Sequence, residues 1–172
     1  MIIIGEKING AIPSIKQAIA ERNEALIIER TLAQAAAGAN FLDCAPSTAT
    51  EIEYETMVWL IGLMQGATNV PLCIDSPNAK LLARVIEEGH LNKPGMVNSV
   101  NEEGDKCETI FPLIAGTPWE VVGLTCDQEG IPADPAKKVE IAKRIIDKAV
   151  RYGVSLNQLH IDPCVMALAT MP

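Results

Sequence analysis

The chain has 172 residues, 48% of them hydrophobic and 21% charged, and a net charge of −8, the composition of a single globular domain with one sizeable core. The acidic balance argues against a polyanion as partner, and with aromatic residues at 3% no stacking platform for single-stranded nucleic acid is expected. No apolar run approaches the ~20 residues of a membrane span, and Met1-Ile2-Ile3-Ile4-Gly5 lacks the basic flank of a secretory signal, so a cytoplasmic protein with no membrane partner is expected.

Along the chain, short apolar strands alternate with amphipathic helices. Ile2 to Ile4 reads as the first strand, stopped by Gly5. Glu24 to Ala37 has helical spacing, with Leu26, Ile27, Leu32, Ala35 and Ala36 toward the core and Gly38 as its C-terminal stop. A second strand runs from Asn40 to Asp43, and Met57, Leu60, Ile61 and Met64 form one face of the following helix. The third strand, Val70 to Asp75, ends at Ser76-Pro77, a helix-start signal that leads into Leu81, Leu82, Val85 and Ile86.

Gly95 precedes a fourth strand at Met96 to Asn98, after which Asn101-Glu102-Glu103 is expected to cap a helix carrying Cys107, Ile110, Phe111 and Ile114. A fifth strand, Glu120 to Leu124, is followed by Asp134-Pro135 and a long helix whose inner face is Val139, Ala142, Ile145, Ile146 and Ala149. The sixth strand, Gln158 to Ile161, stops at Asp162-Pro163. Four of these strands deliver one polar residue each at their C-terminal ends: Asp43, Asp75, Asn98 and Asp162. In an α/β barrel that edge is the active face.

The five cysteines, Cys44, Cys73, Cys107, Cys126 and Cys164, are irregularly spaced, so neither a disulfide framework nor a CxxC zinc knuckle is indicated. A thiolate site using Cys44, Cys73, Cys126 and Cys164 with His160 can be drawn, but small buried cysteines are commoner, and no metal site is expected. His160 shares a strand face with Asp162 and reads as an interior histidine rather than a proton donor. His90, beside Gly89, reads as a helix C-terminal residue.

Strict alternation of strand and helix implies a parallel sheet. The first strand is followed by Gly5-Glu6-Lys7-Ile8-Asn9-Gly10, which is not the GxGxxG of a dinucleotide fold, and no Walker motif occurs. The expected architecture is therefore a (β/α)8 barrel. Six strands are counted where an eight-stranded barrel takes about 250 residues, so residues 1–172 are read as one barrel domain truncated before strands seven and eight, with the edges of strands one and six exposed.

Several segments together resemble the pterin-binding methyltransferases: Gly5 to Gly10, Leu42-Asp43, Cys73-Ile74-Asp75-Ser76, Val97-Asn98-Ser99, Gly123-Leu124-Thr125 with Gly130-Ile131-Pro132, and Ile161-Asp162-Pro163. The likeness runs the length of the chain and is nearest to methyltetrahydrofolate:corrinoid/iron-sulfur protein methyltransferases. Dihydropteroate synthase and the folate module of methionine synthase are more distant. The resemblance implies a TIM barrel of the pterin-binding type and assigns pterin contacts to Asp75, Asn98 and Asp162.

Ring chemistry agrees with that assignment. A pterin presents an amino group and a ring N–H side by side, which a carboxylate accepts in bidentate fashion, while an amide such as Asn98 suits the mixed donor and acceptor edge. Each residue also has a plainer reading: Asp75 as a cap, Asp162 as a turn residue, Asn98 as a loop former. Asp43 contacts the ligand or orients Asn9 and Lys7, and Glu6, Asn9 and Ser76 complete a supporting polar network.

The implied reaction is methyl transfer from 5-methyltetrahydrofolate to the Co(I) corrinoid of a separate partner protein, with no metal of the chain's own. In the family, the contact to the methyl-bearing nitrogen comes from an Asn after strand seven, beyond Pro172, so no catalytic residue is assigned here. Thr125-Cys126-Asp127 departs from the corrinoid/iron-sulfur relatives, which carry Asn in place of Asp127. No DxHxxG-like cobalamin loop is present. The resemblance further implies a homodimer. A dihydropteroate synthase-like condensation and a non-catalytic pterin-binding fragment are the alternatives.

Overall fold

Continuous apolar runs form the strands, and turn residues at their ends start the helices. The computed structural model describes residues 1–165; the chain end at Met171-Pro172, on which the expected truncation turns, lies outside the described residues. The chain divides into two compact units, Met1–Asn98 and Ser99–Pro172.

The first unit contains β1 (Ile4–Gly5), α1 (Pro13–Ala20), α2 (Glu24–Ala36), β2 (Phe41–Cys44), α3 (Thr50–Ala67), β3 (Leu72–Asp75), α4 (Ala79–Glu87) and the start of β4 (Met96–Glu102). Its strands pair in sequence order and in parallel, with Gly5 opposite Leu42, Asp43 opposite Cys73, and Asp75 opposite Asn98. All four residues of β2 are buried, as are Leu72, Cys73 and Ile74 of β3. Near-continuous burial is expected of parallel strands covered on both faces.

Ile8, Ile27, Leu42, Met57, Leu60, Ile61, Met64, Ile74 and Leu82 form the core of this unit, and each such side chain taken from water contributes roughly 1.5–3 kcal/mol. Gly95 lets β4 approach β3, since a Cβ there would lie 2.1 Å from the Leu72 carbonyl oxygen.

In the second unit, β4 runs on into α5 (Lys106–Ile114), β5 (Glu120–Asp127), α6 (Pro135–Tyr152), a single 3-10 turn at Leu156–Gln158 and β6 (Leu159–Asp162). β5 and β6 are parallel, with Val122 opposite His160 and Leu124 opposite Asp162. Asp134 caps α6 by accepting from the Ala136 N–H, Pro135 opens the helix, and Gly153 ends it in the left-handed region at φ 81°. Cys107, Ile110, Phe111 and Ile114 are the buried face of α5, as their spacing predicts. No helix among the described residues is long and apolar enough to cross a membrane.

The elements differ from the sequence reading in instructive ways. β1 is Ile4–Gly5, displaced from Ile2–Ile4, and Ile2 and Ile3 are exposed. α1 was not expected; Pro13 at its first turn and the buried Ile15, Ala18 and Ile19 at helical spacing are its signal. The buried face of α2 is Ile27, Thr31 and Gln34, whereas Leu32 is exposed. The two polar residues are satisfied there: Thr31 Oγ donates to the Ile27 carbonyl at 2.8 Å, and Gln34 Oε1 accepts from the Lys7 N–H at 2.7 Å.

Asn101 and Glu102 belong to β4 and do not cap the next helix; Asp105 holds the N-cap position of α5. On α6, Val139 is exposed and Ile141 takes its place in the core with Ile145 and Ala149. A helix twisted by one residue presents a different stripe, and Val139 does not lie on it.

Candidate functional site

Side chains alternate along a strand, and Cα partners on parallel strands point to the same side of the sheet. From the register, Asp43, Cys73, Asp75 and Asn98 therefore share one face, with Asp43 and Asp75 toward the C-terminal ends of β2 and β3; β4 does not stop at Asn98 as expected but runs on to Glu102, so Asn98 lies within the strand. Asp75 and Asn98 are neighbours across one ladder step, and the ladder continues beyond them with the Ser76 N–H donating to the Asn98 carbonyl at 3.0 Å.

Glu6 follows β1, and its charge is felt by both aspartates. Asn9 makes a parallel bridge to Ala45 just past β2. Its Oδ1 accepts from the Ala11 N–H at 2.9 Å and from Ser47 Oγ at 3.3 Å. Gly10 is needed for this turn, because a Cβ would lie 2.0 Å from the Pro46 carbonyl oxygen.

Burial and neighbouring carboxylates raise the proton affinity of the two aspartates. Burial, followed by the charges of Asp75 and Glu6, pushes Asp43 up to about 8 against a hydrogen bond from Asn9 that lowers it. Asp75 rises to about 6 through burial and the charges of Glu6 and Glu53. At neutral pH Asp43 is mostly a neutral acid and Asp75 mostly a carboxylate. Among the described residues, Oδ1 of Asp43 is buried with no hydrogen-bond partner. Burial also holds the thiols of Cys44 and Cys73 well above the usual range, so they are protonated small hydrophobes.

Ser76 stands apart from its expected role. It does not cap α4; Asn78 does, accepting from the Leu81 N–H at 3.2 Å. Ser76 is buried, accepts from the Asn78 N–H and donates at 2.6 Å to Oε1 of Glu53, itself buried on α3. Pro77 removes a donor between Ser76 and Asn78, which lets the serine turn toward α3. Glu53 was not singled out in the sequence, where it reads only as a first-turn acid of a helix.

Asp162 belongs to the second unit and ends β6 opposite Leu124. It is exposed, and its Oδ1 accepts from the Cys164 N–H at 2.7 Å, the turn-forming role open to an aspartate before proline. His160 is half-buried, and its Nε2 is bonded to Glu120. His90 does more than end a helix: Nε2 meets the Tyr54 hydroxyl at 2.9 Å and Glu88 at 3.1 Å.

Glu6, Asn9, Asp43, Asp75 and Asn98 are thus gathered at one strand edge of the first unit. Such an edge offers an ionised carboxylate, a neutral acid and an amide to a flat heterocycle with donors and acceptors on one side.

The chain is 49% identical over 172 residues to a methylcorrinoid:tetrahydrofolate methyltransferase from Eubacterium limosum, spanning 99% of this chain and 63% of that protein. It is 29% identical over 177 residues to methionine synthase from Mycobacterium tuberculosis, covering 99% of this chain and 15% of that one. Among solved structures, dihydropteroate synthase from Xanthomonas albilineans in complex with 7,8-dihydropteroate superposes with a TM-score of 0.64 at 20% identity, covering 95% of this chain and 58% of that chain. The last likeness shows the fold: the βα units of this chain are those of that α/β barrel enzyme. A model of the pterin binding enzymes matches residues 12–171, and the chain belongs to that family.

Proposed function

We propose that the chain is the folate-binding part of a methyltransferase that exchanges a methyl group between tetrahydrofolate and a corrinoid carried by a separate protein. The observation that carries this reading is the pairing of Asp75 with Asn98 beside an unpartnered acceptor on Asp43. Asp75 accepts the amino group and ring N–H of the pterin together, Asn98 meets the mixed edge, and Asp43, mostly neutral, offers one further donor and one free acceptor. Asp162 is proposed as a fourth contact. Glu6 and Asn9 set the charge and orientation of Asp43, and Ser76 secures the turn behind Asp75.

The identity to the Eubacterium limosum protein, named for transfer from methylcorrinoid to tetrahydrofolate, supports the reaction class. The resemblance stated from the sequence implies transfer from 5-methyltetrahydrofolate, and one site serves both directions because a catalyst accelerates a step and its reverse equally. When bound, the corrinoid supplies the cobalt that holds or accepts the methyl group. The residues of this chain bind and orient the pterin and exclude water from its buried edge. A cytoplasmic homodimer belongs to the same proposal, to be tested by sedimentation of the full-length protein.

Anaerobic assay of the full-length protein with tetrahydrofolate and a methylated corrinoid protein, followed by corrinoid absorbance, tests this function. Turnover that persists with a chelator is expected. Condensation of a pterin pyrophosphate with p-aminobenzoate in place of methyl exchange would transfer the chain to synthase chemistry, and pterin binding without either reaction would leave a binding module.

A further inference from the structure

A cavity of about 390 Å³ lies in the first unit between α1 and the loop that joins β2 to α3. Lys16 and Arg22 border it, no acidic residue does, and neither cation has an ion-pair partner among the described residues. Arg22 is held in place: its guanidinium lies 4.5 Å over the Trp59 ring, and its backbone is in the left-handed region at φ 52°. Ser47, also on the cavity, has φ 47°, so two of the three non-glycine residues with positive φ are found here. Backbone strain of this kind persists where the surroundings over-determine it.

The cavity is also lined by Thr48, whose buried Oγ1 has no hydrogen-bond partner among the described residues, and by Ala49, which precedes α3 without a side-chain cap on the first amides of that helix. Ile19 and Ile52 provide an apolar wall. Two cations, uncapped helix amides and an apolar wall suit a ligand that carries carboxylates on a partly apolar stem.

The cavity is joined to the carboxylate cluster by a short chain of side chains. Ser47 Oγ donates to Asn9 Oδ1 at 3.3 Å, and Asn9 lies close enough to Asp43 to lower its proton affinity. A ligand whose ring rests on Asp43 and Asp75 therefore has the cationic cavity beyond the Asn9–Ser47 contact. We infer that this cavity is the subsite for the glutamyl carboxylates of the folate tail, with Lys16 and Arg22 as the residues that favour glutamylated substrates over a bare pterin. The inference rests on the folate reading of the site and deepens it.

The test uses the full-length protein and calorimetry with three probes: tetrahydrofolate monoglutamate, tetrahydrofolate triglutamate and 6-methyltetrahydropterin, which has the ring and no tail. In the wild type the triglutamate should bind most tightly and lose the most affinity as salt rises. Lys16→Gln and Arg22→Gln keep the side-chain stems; each should weaken triglutamate binding about three- to tenfold and leave 6-methyltetrahydropterin unchanged. Inorganic phosphate at millimolar concentration should compete only weakly.

Equal loss for the tailed and tail-less probes, or no loss for either, overturns the subsite, as does phosphate binding tighter than the triglutamate. These outcomes are separable from failure of the folate reading itself, in which the wild type would bind none of the three probes and the inference would fall with it. Thermal melting of both variants, with midpoints close to the wild type, excludes unfolding as the cause of a loss.

Discussion

Asp75 and Asn98 are Cα partners on adjacent parallel strands, so a carboxylate and a carboxamide stand side by side on one face of the sheet. Strands repeat at a spacing of about 4.8 Å, close to the separation of two hydrogen-bonding positions along the edge of a bicyclic heterocycle. A ring can therefore span the two strands without either side chain leaving its place.

Loss of either partner should be felt directly in ligand affinity. A charge-assisted hydrogen bond contributes about 1.5 to 3 kcal/mol, so Asp75→Ala should weaken tetrahydrofolate binding roughly ten- to a hundredfold, and Asn98→Ala somewhat less. Calorimetry on the full-length variants checks this, and unchanged affinity would remove both residues from the site.

The raised proton affinity of Asp43 makes stability depend on pH. An aspartate in the unfolded chain releases its proton near 3.8, whereas Asp43 in the fold keeps it to about 8. Between those values the native state binds more protons than the unfolded one, so this contribution is complete below the lower value and lost as pH rises through the upper. Asp75, raised to about 6, acts in the same direction over a narrower window. Asp43→Asn should flatten the melting profile between about pH 4 and 8 and be more stable than wild type at pH 9 by roughly 1 to 3 kcal/mol. Parallel profiles for the two proteins would show that Asp43 titrates normally.

Ser76→Ala should lower stability by about 1 to 3 kcal/mol, because it leaves the buried Glu53 carboxylate without its 2.6 Å donor. Glu53→Gln in the same background should recover part of the loss, since an amide is less costly to bury than an unpaired charge. Urea unfolding of the single and double variants measures the coupling. Additive effects would mean that the contact contributes nothing of its own.

Gly10→Ala places a methyl group where the Pro46 carbonyl oxygen already lies 2.0 Å away. The loop carrying Pro46 and Ser47 must move, and with it the Ser47 bond to Asn9. Stability should fall by about 2 kcal/mol or more, with weakened folate binding in the protein that remains folded. Wild-type affinity in this variant would show that the loop is not part of the binding edge.

Much of this was legible in the chain before folding. Phe41-Leu42-Asp43 and Cys73-Ile74-Asp75 announce buried strands that end in acids because the apolar run and the polar stop are contiguous. Asn98 reads as such a stop too, but β4 runs on to Glu102 and the residue lies within the strand. What could not be read depends on pairs distant in sequence: Ser76 finds Glu53 across 23 residues, and Lys7 finds Gln34 across 27. Helix faces were the other weakness. Thr31 and Gln34 are buried in place of Leu32 because each has a hydrogen-bond partner there, a compensation that hydrophobic spacing does not register. The elevated proton affinity of Asp43 likewise follows first from its burial and then from Asp75 and Glu6 being brought beside it, which only folding accomplishes.

Gln34 carries a longer-range consequence. Its side chain leaves the buried face of α2, accepts from the Lys7 N–H and sits so close to Gly5 that a Cβ there would lie 2.8 Å from its Oε1. The segment bearing Glu6 is therefore gripped from behind by α2. Any displacement of Glu6 must pull on that grip, so amide exchange along α2 would report movement of the Glu6 segment from outside the strand edge.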